Sequence, residues 1–113
     1  MSEPRDAHWE AVEEAVELLG TDELDAAIVE LNRIAAGNPE NEYAFYFLGN
    51  AYFEQKDYPK ALAAYVRALE IVPRYAGAMI GAGQTLRMMG QFERAMRMGQ
   101  EVLRFRKDDA DAL

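Results

Sequence analysis

Residues 42–75 read EYAFYFLGNAYFEQKDYPKALAAYVRALEIVPRY, and this stretch of 34 residues is the best-formed unit of an internal repeat. Residues 8–41 and 76–109 align with it without gaps, so small residues, large apolar residues and proline recur in fixed columns. Proline ends helices, and a repeat of this length is typical of stacked helical units. The columns are Ala15, Gly49 and Gly83; Leu18, Tyr52 and Leu86; Leu24, Tyr58 and Phe92; Ala27, Ala61 and Ala95; and Pro39, Pro73 and Lys107.

Each unit predicts two helices. Apolar residues follow the helical period throughout the chain, and alternating strand-like runs are lacking. In the middle unit we expect helices from Tyr43 to Glu54 and from Asp57 to Val72, because Asp57 is a good N-cap and Pro59 suits a first helical turn. The same pattern predicts helices over residues 6–19, 23–36, 75–89 and 91–106.

The middle unit resembles the tetratricopeptide repeat, and the other two units resemble it more weakly. The resemblance implies an all-α domain over residues 1–113, a right-handed superhelix of three antiparallel helix pairs with repeats at 8–41, 42–75 and 76–109. Gly99 and Lys107 replace an aromatic residue and proline in the third unit, so we expect a looser last turn there. The matching residues of the middle unit are Phe45, Leu48, Gly49, Tyr52, Ala61, Tyr65, Ala68 and Pro73.

The charge of the chain is uneven. The formal net charge is −8, and residues 1–41 hold eleven acidic and two basic side chains. Phosphates and anionic lipids repel such a chain, so we expect neither nucleic acid nor membrane partners. No apolar run approaches the ~18 residues needed to cross a bilayer, and the first residues do not form a secretory signal. A cytoplasmic protein is the expectation.

No residue pattern indicates catalysis or a cofactor. The chain lacks cysteine, and His8 is its only histidine, so a nucleophile with a neighbouring base is not in view. The acidic runs at residues 13–17 and 108–111 do not have the spacing of a calcium loop. We therefore expect no enzyme activity, no cofactor and no metal.

The first helices carry more apolar surface than three helix pairs need for their own packing. We expect one stripe, exemplified by Ala11, Ala15 and Leu18 in the first helix, to form the core. The resemblance implies that a second stripe, one residue further round, faces a concave groove, where it suits an apolar or amphipathic peptide segment. The predicted partner-binding residues are Trp9, Val12, Val16, Tyr43, Tyr46, Phe47, Asn50, Phe53, Ile80, Gln84 and Arg87.

Relatives that grip a chaperone's C-terminal carboxylate use Lys, Asn and Arg in this groove. Here the matching positions hold none of these residue types, so the resemblance favours a scaffold or chaperone-like adaptor with an apolar target. Gly77 and Gly81 either let a partner approach the backbone or relieve crowding between helices. The matching positions are Val12, Val16, Phe47, Gly77 and Gly81.

The alternative function is structural self-assembly. Residues 110–113 resemble the opening of a fourth unit, and such arrays end in a polar capping helix. We therefore expect either a piece of a longer protein or an apolar last helix that another molecule covers. Attraction between the acidic first unit and the basic last helix would favour head-to-tail stacking. The predicted self-association residues are Met96, Val102, Leu103 and Phe105.

Overall fold

Six α-helices make up the described part of the chain. A computed structural model describes residues 4–111, with side chains described for residues 7–104. Consecutive helices pack as three pairs, and each pair packs on the next, so the predicted all-α stack of helix pairs is confirmed. The helices are α1 (Pro4–Gly20), α2 (Leu24–Gly37), α3 (Glu42–Glu54), α4 (Tyr58–Ile71), α5 (Ala76–Met88) and α6 (Phe92–Asp111).

The turns inside the three pairs share one backbone geometry. Asp22, Lys56 and Gly90 stand at equivalent positions and have φ angles of 62°, 63° and 79°. A left-handed residue after a helix lets the following amide bond back to the helix end. These amide hydrogen bonds run from Glu23 to the carbonyl of Leu18, from Asp57 to Tyr52 and from Gln91 to Leu86, at 3.0, 2.9 and 2.8 Å.

Two hydrophobic clusters form most of the core, and the middle pair contributes to both. The first joins α1 and α2, through residues such as Val12 and Leu31, to Leu48 of α3. The second surrounds Tyr65 of α4 and includes Ala82 of α5. Helices α3 and α4 therefore have packed neighbours on both sides.

The core stripe predicted for α1 is correct at Ala15 but not at Ala11, whose place in the core is taken by Val12. Val12 and Ala15 are fully buried, whereas Ala11 is exposed and Leu18 is partly exposed. In α5, the column of Ala11 holds Met79, which is buried at the junction with α6 and the preceding pair. No described helix precedes α1 in the stack, so its face with Ala11 stays open and the buried stripe shifts towards α2.

Helix α6 is longer than predicted. We expected it to end near Arg106, but it continues to Asp111. Lys107 stands where Pro39 and Pro73 occur in the other units, so nothing stops the helix at that column. Ala110 and Asp111, which we expected to open a fourth unit, are part of α6 instead. Residues 112 and 113 lie outside the described residues.

Candidate peptide-binding groove

Five aromatic rings form a continuous cluster on the groove side of the first helices. Trp9 of α1 lies 5.3 Å from Tyr43 and 6.0 Å from Phe47, both of α3. Tyr75, at the start of α5, lies 6.3 Å from Tyr43 and stacks on Tyr46 at 5.0 Å. The ring of Tyr46 is 5.1 Å from that of Phe47. This aromatic cluster, Trp9, Tyr43, Tyr46, Phe47 and Tyr75, links all three helix pairs.

Aromatic rings of the chain itself occupy the space beside Gly77 and Gly81, the two glycines of the predicted groove floor. A Cβ atom at Gly77 would lie 3.0 Å from the Tyr46 ring, and one at Gly81 would lie 2.5 Å from the Tyr65 ring. A Cβ at Gly49 would also lie too close to the Tyr65 ring, at 2.6 Å. Of the two roles that we considered for Gly77 and Gly81, the structure therefore favours relief of crowding, because rings already occupy the space beside their backbone.

Tyr65 anchors the polar residue at the centre of the groove. Its side chain is buried, and its hydroxyl donates a hydrogen bond of 2.5 Å to Oδ1 of Asn50. Burial, followed by the proximity of Tyr46 and Glu54, raises the pKa of the Tyr65 hydroxyl well above its usual range. Because the hydroxyl stays protonated, it holds the Asn50 side chain in place at physiological pH.

The remaining predicted residues divide by exposure. Trp9 and Ile80 are each 41% exposed, and the polar side chains of Gln84 and Arg87 are exposed as well. The prediction for Val12 is wrong: this side chain is fully buried in the first core cluster and cannot touch a partner. Six others are partly buried: Val16, Tyr43, Tyr46, Phe47, Asn50 and Phe53.

The groove ends in an open cavity at the third pair. Its volume is about 370 Å³, and it brings together Phe53, Gln84 and Arg87, three of the predicted residues, with Met88 and Phe92. Phe92, at the start of α6, is 65% exposed. We had assigned no role to Phe92, although its column with Leu24 and Tyr58 marked it as a large apolar residue.

A comparison with protein families agrees with this architecture. The family model described as Tetratricopeptide repeat matches residues 40–108. The chain belongs to the tetratricopeptide repeat (TPR) family. Modules of this family mediate contacts between proteins, so the chain is a TPR protein-interaction module with six described helices.

Curated relatives share part of this TPR array. The human protein "DnaJ homolog subfamily C member 7" is 36% identical over 56 residues, half of this chain. The mouse protein of the same name matches to the same extent. The matched segment covers 11% of either relative, so the TPR chain resembles only a small part of these larger proteins.

Solved TPR structures superimpose on most of the chain. A crystal structure of MamA has a TM-score of 0.83 and 27% identity, covering 86% of this chain and 57% of MamA. The second TPR of Spaghetti (RPAP3), solved with the HSP90 peptide SRMEEVD, has a TM-score of 0.81 and 17% identity, covering 88% and 92%. At that identity the second match shows the fold alone.

The only histidine of the TPR chain lies at the junction of the first two pairs. Nδ1 of His8 is 2.9 Å from Oε1 of the buried Glu42. Nδ2 of Asn41 donates to the His8 carbonyl at 3.0 Å, while Oδ1 of Asn41 caps α3 through the amides of Tyr43 and Ala44. These bonds fix α1 on α3 and so place Trp9 beside Tyr43.

Two further properties of the described residues bear on the kind of site. Between residues 4 and 111, no helix is both long enough and apolar enough to cross a membrane. In the same part of the chain, histidine and carboxylate side chains do not gather in groups of three or more that could hold a metal ion.

Proposed function

We propose that this TPR module is non-enzymatic and that its concave groove holds an apolar or amphipathic segment of a partner protein. The observation that carries the proposal is the aromatic cluster together with Ile80, whose side chain is 41% exposed. Aromatic side chains that are ordered by their neighbours and remain partly open to solvent are typical anchors at protein interfaces. Asn50, Gln84 and Arg87 supply polar contacts beside them.

The residue types at five groove positions support an apolar target rather than a C-terminal carboxylate. At the five positions where carboxylate-binding relatives carry polar or basic residues, Val12 is buried and Gly77 and Gly81 adjoin rings. Val16 and Phe47 are apolar. None of these five can donate hydrogen bonds to a carboxylate from its side chain, so the groove lacks the carboxylate-binding residues of those relatives.

The single tryptophan gives a direct binding assay. Trp9 is the only tryptophan of the chain and touches Tyr43 and Phe47 within the groove. Short Trp-free peptides selected on the immobilised chain from a display library serve as probes. Their titration should shift the Trp9 emission to shorter wavelength, whereas the peptide SRMEEVD should leave it unchanged. Selected peptides without apolar residues, or binding of SRMEEVD, would contradict the proposal.

Substitutions locate the binding surface. We expect Phe53→Ala and Ile80→Ala each to weaken binding of the selected peptides about tenfold, the typical effect of truncating an interface anchor. Val29→Ala is the matched control, because Val29 is 70% exposed on α2 and away from the groove. Far-ultraviolet circular dichroism verifies that the variants fold. Unchanged affinity in a folded Phe53→Ala/Ile80→Ala double variant would remove the groove from the proposal.

A further inference from the structure

Helix α6 carries an exposed apolar stripe that its own pair does not cover. The stripe consists of Phe92, Met96, Gly99 and Leu103, spaced by four, three and four residues, which places them on one helix face. Phe92, Met96 and Leu103 are 65%, 64% and 69% exposed. No atom lies within 4 Å of a Cβ built at Gly99. The stripe therefore has exposed apolar side chains at Phe92, Met96 and Leu103, and a shallow depression at Gly99.

Equivalent stripes elsewhere in the chain are covered by a neighbouring helix. In α4 the same columns hold Leu62, Tyr65 and Leu69, which pack with Ala78 and Ala82 of α5. In α2 the columns include Ile28, Leu31 and Ala35, which pack with Ala44 and Leu48 of α3. The α6 stripe therefore occupies positions whose counterparts each form a helix–helix contact.

Two of the predicted self-association residues are not part of this stripe. Val102 is 5% exposed and packs against Met79 inside the third pair, so its prediction is wrong. It shares a column with the buried Ile34 and Ala68, a signal that was present in the sequence. The side chain of Phe105 lies outside the described residues. Met96 and Leu103 remain, joined by Phe92 and Gly99.

Head-to-tail stacking does not suit the stripe. In the natural stack, α2 packs against Ala44 and Leu48 of α3. The equivalent positions of α1 are Glu10 and Glu14, which are exposed. Placing α1 of another copy on the α6 stripe would bury carboxylates against Met96 and Leu103. Burial of unpaired carboxylates is costly, so the favourable overall charges of the two ends do not make this contact a good one.

We propose that the α6 stripe binds the same stripe of a second copy, with the two helices antiparallel. A two-fold arrangement sets Phe92 of each copy against Leu103 of the other, and Met96 against Gly99. The long side chain of Met96 then fills the shallow centre left by Gly99, which is the size complementarity of an antiparallel helix pair.

Charge supports the same pairing. Glu93 and Arg104 are exposed and lie next to the ends of the stripe on its solvent side. Two-fold symmetry brings Glu93 of one copy near Arg104 of the other twice, because Phe92 and Leu103 face each other. Among the described side chains, Arg104 forms an ion pair with Glu101, an exposed carboxylate of its own helix, at 3.4 Å. Opposite charges at these flanking positions favour the antiparallel register.

Sedimentation velocity over a concentration series tests the dimer. We expect a reversible equilibrium between monomer and dimer, and Leu103→Glu should weaken it at least about tenfold. Val29→Glu is the control, since Val29 is equally exposed and lies on α2. A monomer at every concentration, growth into species larger than a dimer, or a folded Leu103→Glu variant with unchanged association would overturn the proposal.

A charge exchange tests the register. The single variants Glu93→Arg and Arg104→Glu should each weaken the dimer, because each places like charges opposite one another at two symmetric sites. The double variant restores both pairs and should recover the dimerisation of the natural chain. If the double variant dimerises no better than the two single variants, the antiparallel register is wrong. Unchanged dimerisation in both single variants would equally overturn it.

Discussion

At the scale of single residues, Tyr65 determines how closely α3, α4 and α5 pack. Its ring is buried, and it lies so close to Gly49 of α3 and Gly81 of α5 that neither position has room for a Cβ. The sequence marked Gly49 and Gly83 as small residues at a helix contact. It did not show that the ring of Tyr65, from the paired helix, fills the space beside Gly49. The 34-residue columns give the size of each side chain but not the residue that it contacts.

A pair of substitutions in α5 separates packing from helix propensity. Gly81→Ala should lower the free energy of unfolding by about 1–3 kcal/mol, because the new methyl group would overlap the Tyr65 ring. Gly83→Ala makes ordinary contacts, with Cβ of Met98 at 3.6 Å, and should raise the free energy of unfolding by about 0.5–1 kcal/mol through helix propensity. Urea denaturation measures both. Changes of the same sign would show that Tyr65 is not confined as described.

At the scale of the helices and their turns, the left-handed residues after α1, α3 and α5 differ in their cost. Glycine adopts this conformation freely at Gly90, whereas Asp22 and Lys56 adopt it with side chains. We expect Lys56→Gly to raise the free energy of unfolding by about 1 kcal/mol and Gly90→Ala to lower it by a similar amount.

The neighbour of Lys56 provides the control for that prediction. Gln55 has a φ of −76° in the ordinary helical region, where glycine gives no relief of strain. Gln55→Gly should therefore lower the melting temperature, while Lys56→Gly raises it. A stabilising effect at both positions would point to a general effect of loosening the turn, and would contradict the assignment to backbone conformation.

The helix pairs could be predicted because small and large apolar residues recur in the same columns of every unit, while Pro39, Pro73 and the N-cap Asp57 mark helix ends in part of the array. One error arose at the edge of the described stack, and another where a residue of the repeat changes. Val12 is buried in place of Ala11 because no described helix covers that side of α1. Helix α6 passes Arg106 because Lys107 cannot stop it. The structure of one unit predicts that of another only where both the residue in the column and its neighbouring helices are the same.

At the scale of the whole molecule, stability should be greatest in the middle of the stack. Helices α3 and α4 contribute to both main core clusters, and stability in repeat arrays depends on contacts between neighbours. We expect amide hydrogen exchange of the monomer to be slowest in α3 and α4 and fastest in α6. Mass spectrometry of exchanged peptides measures this order. Protection of α6 equal to that of α4 at low protein concentration would contradict it.

The candidate site was predictable as a surface but not in all its members. Helical spacing placed Tyr43, Tyr46 and Phe47 on a shared face, and the structure gathers them into the aromatic cluster. Tyr75 was missed although the predicted helix over residues 75–89 begins with it, because the ring that it stacks on, Tyr46, belongs to the preceding unit. Tyr75 stacks on the Tyr46 ring, which also lies close to Gly77, and such contacts between units are not visible within a single unit.

The close packing of Tyr65 against Gly49 and Gly81 also fixes the order of the three units. At the boundary of the first two units, the smaller Leu31 occupies the column of Tyr65. Phe47 occupies the column of Gly81 and packs against the core cluster that contains Leu31. A large residue therefore meets a small one at both boundaries, but with the roles exchanged. Deleting residues 42–75 would bring Leu31 opposite Gly81 and leave an unfilled void. Units that align without gaps are thus not interchangeable parts, and shuffling or duplicating them would require both sides of each boundary to change together.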